Sequence, residues 1–378
     1  MKILFVLEYY LPHIGGVEIV FKNLCEGLVK RGHNVKVITS RISGTQKKET
    51  LNGVEIERVN VPKILTRYLF SFLATRKVAQ EAKNYDLVHT TTFTASRPAS
   101  IGAKKAGKKV ILTVHEVWIG KWNLVTEKRG VSIWIHNTLE KGIYKQKFDK
   151  YICVSNATKK DLLNVKNIPK EKVMTIHNGM DYAPWDPKKY DKSLWRKKLN
   201  IETNYVLFAS GRPGTSKGFE YLINALPEIK KEIKNVKLVL RLSKAKAYTK
   251  QYDKLMNMIE KLKLKENIII LEPAKYEELP SQVMMADCVV IPSLAEGFGY
   301  TCVEACSLGK AVVATNAGSL PEVINGKGKL VEPGNANAIT KGVVDVYQGK
   351  LTEFGTKTFL WKDIIEEYEK VYRELLNE

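Results

Sequence analysis

Residues 287–315 read DCVVIPSLAEGFGYTCVEACSLGKAVVAT. An apolar run lies at each end, Asp287–Pro292 and Ala311–Thr315. Both runs are rich in Val or Ala and lack polar alternation, which is typical of strands buried on both faces. Between them a Gly-rich loop leads into a helical segment, Thr301–Leu308. A strand, a helix and a second strand in this order predict a βαβ unit within a parallel sheet.

The same alternation runs through the whole chain and restarts after residue 200. Strands are predicted at Lys2–Leu7, Val35–Ser40, Val54–Asn60, Asp86–Thr91, Lys109–His115, Tyr151–Ser155, Tyr205–Ser210, Val236–Leu242, Asn267–Leu271, Asp287–Pro292, Ala311–Thr315 and Gly328–Val331. Helices are predicted between them, at Val17–Arg31, Lys63–Lys83, Ala95–Ala106, Val131–Lys147, Asn156–Asn164, Phe219–Lys234, Tyr248–Leu262, Tyr276–Met285, Thr301–Leu308 and Ala336–Val346. We therefore expect an α/β protein with two Rossmann-like, doubly wound parallel-sheet domains that face each other across a cleft.

A turn-rich connector, NGMDYAPWDPKKYDK at 178–192, separates the two halves. It predicts an N-terminal domain over 1–183 and a C-terminal domain over 190–358. The last helix, 360–378, has apolar residues at helical spacing, and we expect it to pack back on the N-terminal domain.

The composition excludes several classes of protein. Of the 378 residues, 44% are hydrophobic and 27% are charged, which excludes a disordered or collagen-like chain. No apolar run reaches the roughly 18 residues that a transmembrane helix needs. The first residues, MKILFVLEYY, predict a buried strand and not a signal peptide. The five cysteines form no C-x-x-C pair and predict reduced core thiols in a cytoplasmic protein.

The net charge of +21 is concentrated in the first half. Residues 1–190 carry 33 Lys and Arg against 16 Asp and Glu, whereas residues 191–378 carry 28 against 24. This asymmetry favours an anionic partner for the first half, either nucleic acid or a membrane surface. A lysine-rich surface without a specific partner is the alternative. No nucleic-acid motif is present, so no nucleic acid is expected.

Two regions of the first half mix basic and aromatic residues, as interfacial helices on anionic lipid do. Packing in the core, with the basic groups at its edge, is the alternative. The regions are Lys63–Lys77 and the set Trp118, Lys121, Trp122, Lys128, Arg129 and Trp134.

Three glycine-containing segments follow predicted strands and are candidates for anion binding. The first is Gly15-Gly16 at a helix start, where free N–H groups favour an anion; a tight turn is the alternative. The second is Gly211–Gly218, in which Arg212 and Lys217 could contact phosphate. It lacks the P-loop spacing, and a solvated loop is the alternative. The third is the segment 292–305. In it Glu296 and Glu304 flank a glycine turn, an arrangement suited to binding sugar or ribose hydroxyls.

The run PSLAEGFGYTCVEACSLGKAVVATNAGSLPEVI, 292–324, resembles the signature of the retaining glycosyltransferases of family 4, which have the two-domain GT-B fold. The E-x7-E motif of that family maps to Glu296 and Glu304. Four further segments fit in order, so the resemblance covers nearly the whole chain: Gly15–Glu18, Thr113–His115, Ile176–Asp181 and Gly211–Gly218.

The resemblance implies a role for each matching residue. Glu304 would bind the ribose of a nucleotide-sugar donor, and Glu296 would hold a hydroxyl of the donor sugar. Arg212 and Lys217 would neutralise the departing diphosphate, and His115 would lie beside the donor sugar. The diphosphate and sugar would also be contacted by the backbone of Gly15, Gly16, Phe298, Gly299, Tyr300 and Thr301.

We therefore predict a hexosyltransferase that uses a UDP- or GDP-sugar, with no metal and no other cofactor. Its acceptor would be a glycan or a lipid-linked molecule, and the enzyme would lie on the inner face of the cell membrane. A soluble disaccharide synthase, or an epimerase or phosphorylase on the same fold, is the alternative. The family often has His-Asp where this chain has His115-Glu116, and it often has a Gly-rich turn where this chain has 239–246.

Overall fold

The chain forms two α/β units, described by a computed structural model over residues 1–62, 66–127, 129–272 and 276–377. Unit 1 consists of Met1–Gly120, Gly130–Met180 and Phe359–Glu378. Unit 2 consists of Lys121–Arg129 and Asp181–Thr358. Each unit is built around one sheet.

The strands of unit 1 form an eight-stranded sheet in the order β3-β4-β2-β1-β5-β6-β7-β8, and those of unit 2 a seven-stranded sheet in the order β11-β10-β9-β12-β13-β14-β15. In chain order they are β1 Lys2–Val6, β2 Asn34–Ser40, β3 Lys48–Leu51, β4 Val54–Val59, β5 Leu87–Thr91, β6 Lys109–Val114, β7 Lys150–Cys153, β8 Val173–Thr175, β9 Tyr205–Gly211, β10 Val236–Leu242, β11 Ile268–Leu271, β12 Cys288–Ile291, β13 Ala311–Thr315, β14 Gly326–Val331 and β15 Thr352–Phe354. All paired neighbours run parallel except β3 with β4 and β14 with β15.

Helices connect the strands. In chain order they are α1 Gly16–Lys30, α2 Thr66–Glu81, α3 Ser96–Ala106, α4 Trp122–Val125, α5 Val131–Tyr144, α6 Asn156–Leu163, α7 Lys192–Leu199, α8 Phe219–Glu232, α9 Thr249–Lys261, α10 Leu279–Met284, α11 Tyr300–Ser307, α12 Leu320–Val323, α13 Ala336–Tyr347 and α14 Trp361–Asn377. No helix in the described ranges is both long and apolar enough to cross a bilayer.

Alternate residues of each central strand enter different cores. In unit 1, Ile3 and Phe5 of β1 pack with α1 and α14 on one face of the sheet. Leu4 and Val6 pack on the other face, where α2, α3, α5 and α6 lie. In unit 2 an apolar cluster joins the sheet to α8, α9 and α13. Burial on both faces explains why the central strands are apolar throughout.

The structure confirms the doubly wound arrangement, and all twelve predicted strands are present within two residues of their predicted ends. The sheets are not wholly parallel, because the edge strands β3 and β15 pair antiparallel with β4 and β14. Both edge strands are short and mostly exposed, so their sequences carry no apolar signal. Helix α7 begins at the end of the predicted connector. At the start of this helix, Asp191 accepts a hydrogen bond from the N–H of Ser193.

The predicted basic and aromatic regions of the first half are only partly exposed. The side chain of Trp122 is 7% exposed, and Trp118 is half-buried. Trp134 is exposed by 66%. The burial of Trp122 agrees with the alternative of core packing, whereas the exposure of Trp134 agrees with an interfacial helix. In the other region, residues 63–65 lie outside the described residues.

All five cysteines are buried and unpaired, as predicted for core thiols. Burial raises the pKa of the Cys153 thiol to about 12 and that of Cys288 to about 12. At neutral pH these two groups are therefore protonated.

Candidate active site

Three loops meet at the carboxyl edge of the unit 2 sheet. They are residues 211–218 after β9, 292–299 after β12 and 316–319 after β13. The N–H of Leu294 donates to the carbonyl of Ser216 at 2.7 Å, and the N–H of Ser319 donates to the carbonyl of Glu296 at 3.0 Å. Ligands of open α/β sheets bind at this edge.

Two glycines make this close approach of backbones possible. Gly218 has φ +62°, and a Cβ on it would lie 2.1 Å from the carbonyl oxygen of Pro292. Gly318 has φ +52°, and a Cβ there would lie 2.1 Å from the carbonyl oxygen of Glu296. Any larger residue would push the loops apart.

A third glycine starts helix α11. Gly299 has φ +86° and caps the helix without a side-chain hydrogen bond. The N–H groups of Tyr300 and Thr301 lie in the first turn of the helix, the part of a helix that favours an anion. The ring of Phe298 is buried and packs edge-on against that of Tyr300, with centroids 4.9 Å apart. Because its ring is buried, Phe298 can contact a ligand only through its backbone.

The carboxylate of Glu296 is held from two sides. Lys217 Nζ lies 2.7 Å from its Oε2, and Ser293 Oγ donates to the same oxygen at 3.1 Å. The side chains of Glu296 and Lys217 are largely shielded from solvent. The sequence predicted Glu296 and Lys217 as separate ligand-binding groups, whereas the structure brings them into one ion pair.

Glu304 and Arg212 occupy different parts of the same edge. Glu304 lies on α11 and is 6% exposed. Arg212 is exposed, and its guanidinium carbon lies 5.9 Å from the ring centroid of Tyr248. Gly214 follows in the same loop, close to the Tyr248 ring. Tyr248 thus supports the loop that carries Arg212.

The predicted residues of unit 1 also lie at the carboxyl edge of their sheet. Gly15 is extended, with φ −149°, and caps α1. A Cβ on Gly16 would meet nothing within 4 Å, so the surface in front of this residue is open. His115 follows β6, and its ring lies edge-on to Phe21 of α1 at 5.9 Å.

His115 is neutral near pH 7, because burial lowers its pKa to about 4. Its Nε2 is closed off from solvent and has no hydrogen-bond partner within the described part of the chain. A buried nitrogen without a partner is costly unless a ligand completes its hydrogen bonding.

The structure adds residues that sequence reasoning missed. Ser293, Gly318, Ser319 and Tyr248 support the loops, but none was singled out. The first three lie inside the quoted run 292–324, next to strand ends, where small polar residues and glycines are the available signal. Nothing in the sequence near Tyr248 marks it.

No group of three or more His, Cys, Asp or Glu side chains suited to holding a metal ion occurs among the residues that the structure describes.

Comparison with known families matches both halves of the chain. Residues 14–183 match the family model "Glycosyltransferase Family 4", and residues 191–355 match "Glycosyl transferases group 1".

Individual relatives extend over nearly the whole chain. An uncharacterized glycosyltransferase of Methanocaldococcus jannaschii is 30% identical over 402 aligned residues, covering 100% of this chain and 97% of that protein. The phosphatidylinositol N-acetylglucosaminyltransferase GPI3 subunit of Saccharomyces cerevisiae is 24% identical, over 85% of this chain and 70% of that protein.

Solved structures share the fold. The crystal structure of HepE from Anabaena, in complex with UDP, superposes with a TM-score of 0.76 at 20% identity, covering 99% of this chain and 100% of that one. Sequence, family models and fold thus agree that the chain is a glycosyltransferase of the family 4 type, with the GT-B fold.

Proposed function

We propose that this enzyme is a retaining glycosyltransferase that moves a hexose from a UDP- or GDP-sugar to a glycan or lipid-linked acceptor at the inner membrane surface. The main support for the proposal is the arrangement of the three loops at the carboxyl edge of the unit 2 sheet. There the held carboxylate of Glu296, the glycine-led first turn of α11 and the buried Glu304 occur together.

Each part has a role in the proposed reaction. The N–H groups of Tyr300 and Thr301 would bind the donor diphosphate, and Glu304 would accept hydrogen bonds from the ribose hydroxyls. Glu296 would hold a hydroxyl of the sugar. Arg212 and Lys217 would stabilise the negative charge that grows on the diphosphate as it leaves.

The proposed transfer takes place on one face of the sugar. The bond between the anomeric carbon and the phosphate oxygen breaks, and its electron pair stays on that oxygen. The acceptor oxygen bonds to the anomeric carbon, and its proton passes to the departing phosphate oxygen. No covalent enzyme intermediate and no metal are part of this proposal. His115, neutral and lacking an Nε2 partner, would hydrogen-bond a hydroxyl of the donor sugar.

The relatives support the choice of donor and acceptor. HepE was crystallised with UDP and with UDP-glucose, which favours a UDP-linked donor here. The yeast GPI3 subunit is named for transfer to phosphatidylinositol, which favours a lipid-linked acceptor.

A thermal-shift panel with UDP, GDP, ADP and their sugar conjugates tests the donor site. A ligand at 100 times its dissociation constant stabilises the folded enzyme by about 2.7 kcal/mol. We expect one nucleotide to raise the Tm of the wild type by a few degrees and Glu304→Gln to abolish the rise. Glu228→Gln, an exposed glutamate on α8, should respond as the wild type does.

The same panel, combined with analysis of the reaction products, can contradict the proposal. If no nucleotide or nucleotide sugar shifts the Tm of the wild type, the donor site is absent. If the sugar nucleotide binds but is converted to its epimer without transfer, the enzyme is an epimerase. Transfer to a free sugar without membranes would identify a disaccharide synthase.

A further inference from the structure

Helix α5 of unit 1 has an exposed apolar face. Val131, Trp134, Ile135 and Leu139 are exposed by 73%, 66%, 42% and 47%. Their spacing places them on one side of the helix. On the other side Ile143 and Tyr144 are buried in the core of the unit. We call these four exposed residues the α5 face.

The exposed charged residues of α5 and of its C-terminal end are basic. Lys141 and Lys145 are exposed towards the end of the helix. Glu140 is the one acidic residue in the helix sequence. Its side chain is 3% exposed and turned inward, where Oε1 accepts a hydrogen bond from the N–H of Trp118 at 2.8 Å. The exposed side of α5 therefore combines apolar residues, the polar Thr138 and lysine, without an acidic side chain.

The α5 face lies at the functional end of unit 1. Strand β6 ends at Val114 at the carboxyl edge, and α5 runs from this edge back towards the start of β7. The first turns of α5, with Trp134 and Ile135, are therefore at the same end of the sheet as His115 and Gly16.

A second helix adds exposed apolar residues on the same layer. Phe72 and Leu73 of α2 are exposed by 61% and 47%. The guanidinium of Arg97 lies over the Phe72 ring at 4.3 Å from its centroid. Helices α2, α3 and α5 share one face of the sheet, so these residues extend the apolar and basic character of the layer.

We propose that the α5 face docks the enzyme on an anionic lipid bilayer, with Trp134, Ile135 and Leu139 in the interface and Lys141 and Lys145 at the headgroups. This inference rests on the proposed lipid-linked acceptor and names the surface that would bring the enzyme to it. Tryptophan with flanking lysines is typical of interfacial helices. Protein interfaces, in contrast, are depleted in lysine. The excess of basic residues in 1–190 complements an anionic surface.

Vesicle co-sedimentation tests the docking surface, using phosphatidylcholine vesicles with and without about one third phosphatidylglycerol. We expect the wild type to prefer the anionic vesicles. The double variant Trp134→Ser/Ile135→Ser should lower the partition coefficient by roughly tenfold or more, because it removes buried apolar area. Lys141→Gln/Lys145→Gln should lower binding to anionic vesicles by about fivefold per lysine.

Matched variants in unit 2 are the controls. Leu194→Ser changes an apolar residue of α7 that is exposed by 45%. Lys254→Gln/Lys261→Gln removes two exposed lysines of α9. Both should partition as the wild type does. The nucleotide-induced thermal shift should persist in every variant, because none of these residues belongs to the donor site.

Three results would overturn the docking surface. One is a wild type that shows no preference for anionic vesicles, and another is an α5 double variant that partitions like the wild type. The third is a dimer in light scattering that Trp134→Ser/Ile135→Ser dissociates, since a second copy would then cover the face. If the wild type binds anionic vesicles through α5 but shows no nucleotide-induced thermal shift, the proposed function is wrong and the docking surface is still supported.

Discussion

Lys217 and Glu296 form an ion pair at 2.7 Å, and the two residues have separate roles in the proposed reaction. Lys217→Met should weaken UDP binding by roughly 10- to 100-fold, since a hydrogen bond to a charged group contributes about 1.5–3 kcal/mol. Glu296→Gln should leave UDP binding equal or tighter, because it frees the Lys217 cation, but should abolish the added affinity of UDP-glucose over UDP. Titration calorimetry with both ligands measures the two effects.

A matched variant on α8 is the control for Lys217→Met and Glu296→Gln. Lys231→Met breaks an exposed ion pair with Glu228 on α8 and should change neither affinity. If both Lys217→Met and Glu296→Gln weaken UDP binding equally, the pair serves only to hold the loops together, and the separate roles are wrong.

At the scale of structural elements, each close approach between two loops of unit 2 depends on one glycine. A substitution at Gly218 tests this dependence. Gly218→Ala should cost the strain of a left-handed residue, about 1–2 kcal/mol, and should also displace the loop from Pro292. The displaced loop should no longer give a nucleotide-induced thermal shift. Urea unfolding and the thermal-shift assay measure the two effects.

Gly309→Ala separates backbone strain from collision. Gly309 follows α11 with φ +67°, but a Cβ there would meet nothing within 4 Å. This variant should show the same strain and keep the nucleotide shift. A Gly218→Ala enzyme that still responds to the nucleotide would show that the loop contact is not needed for binding.

Across the whole molecule, the last helix completes the core of unit 1. Residues of α14, among them Tyr368 and Tyr372, pack with α1 and the sheet. The Tyr372 hydroxyl lies 2.7 Å from Nδ1 of His89, a residue 283 positions earlier, and the Thr113 hydroxyl lies 2.7 Å from Nε2. This enclosure buries His89 completely.

The enclosed His89 should make the stability of the enzyme fall on acidification. Burial lowers its pKa from an ordinary 6.5 to about 3, so the folded enzyme binds this proton less readily than the unfolded chain. The contribution of the neutral ring is fully present above pH 6.5 and is lost as the pH falls from 6.5 towards 3. At pH 5 the loss should be about 2 kcal/mol.

Urea unfolding at pH 7 and pH 5 measures this loss. His89→Gln removes the titrating group, so its stability should fall less between the two pH values, although it starts from a lower value. A variant that loses as much stability as the wild type over this range would show that His89 is not the group responsible. His115, with a pKa of about 4, should contribute in the same direction.

Much of this fold was predictable because its signals are local. Strands such as β10 and β13 are continuous apolar runs, and their predicted ends match the observed ones. The sequence does not predict β3, β8 and β15, which are three or four residues long and largely half-buried or exposed, so burial leaves little mark on their composition. Helix α7 was missed because its apolar positions are few and its neighbours are turn residues.

The amino-acid sequence by itself determined the alternation of strands and helices, the positions of the glycine loops and the membership of the family. Apolar runs, helical spacing and turn residues are properties of neighbours along the chain, so they can be read without coordinates. Only the tertiary structure decided that Glu296 pairs with Lys217, 79 residues away, that Trp134 is exposed while Trp122 is buried, and that α14 encloses His89. These features depend on distances between residues far apart in the chain, and those distances exist only once the sheets have formed.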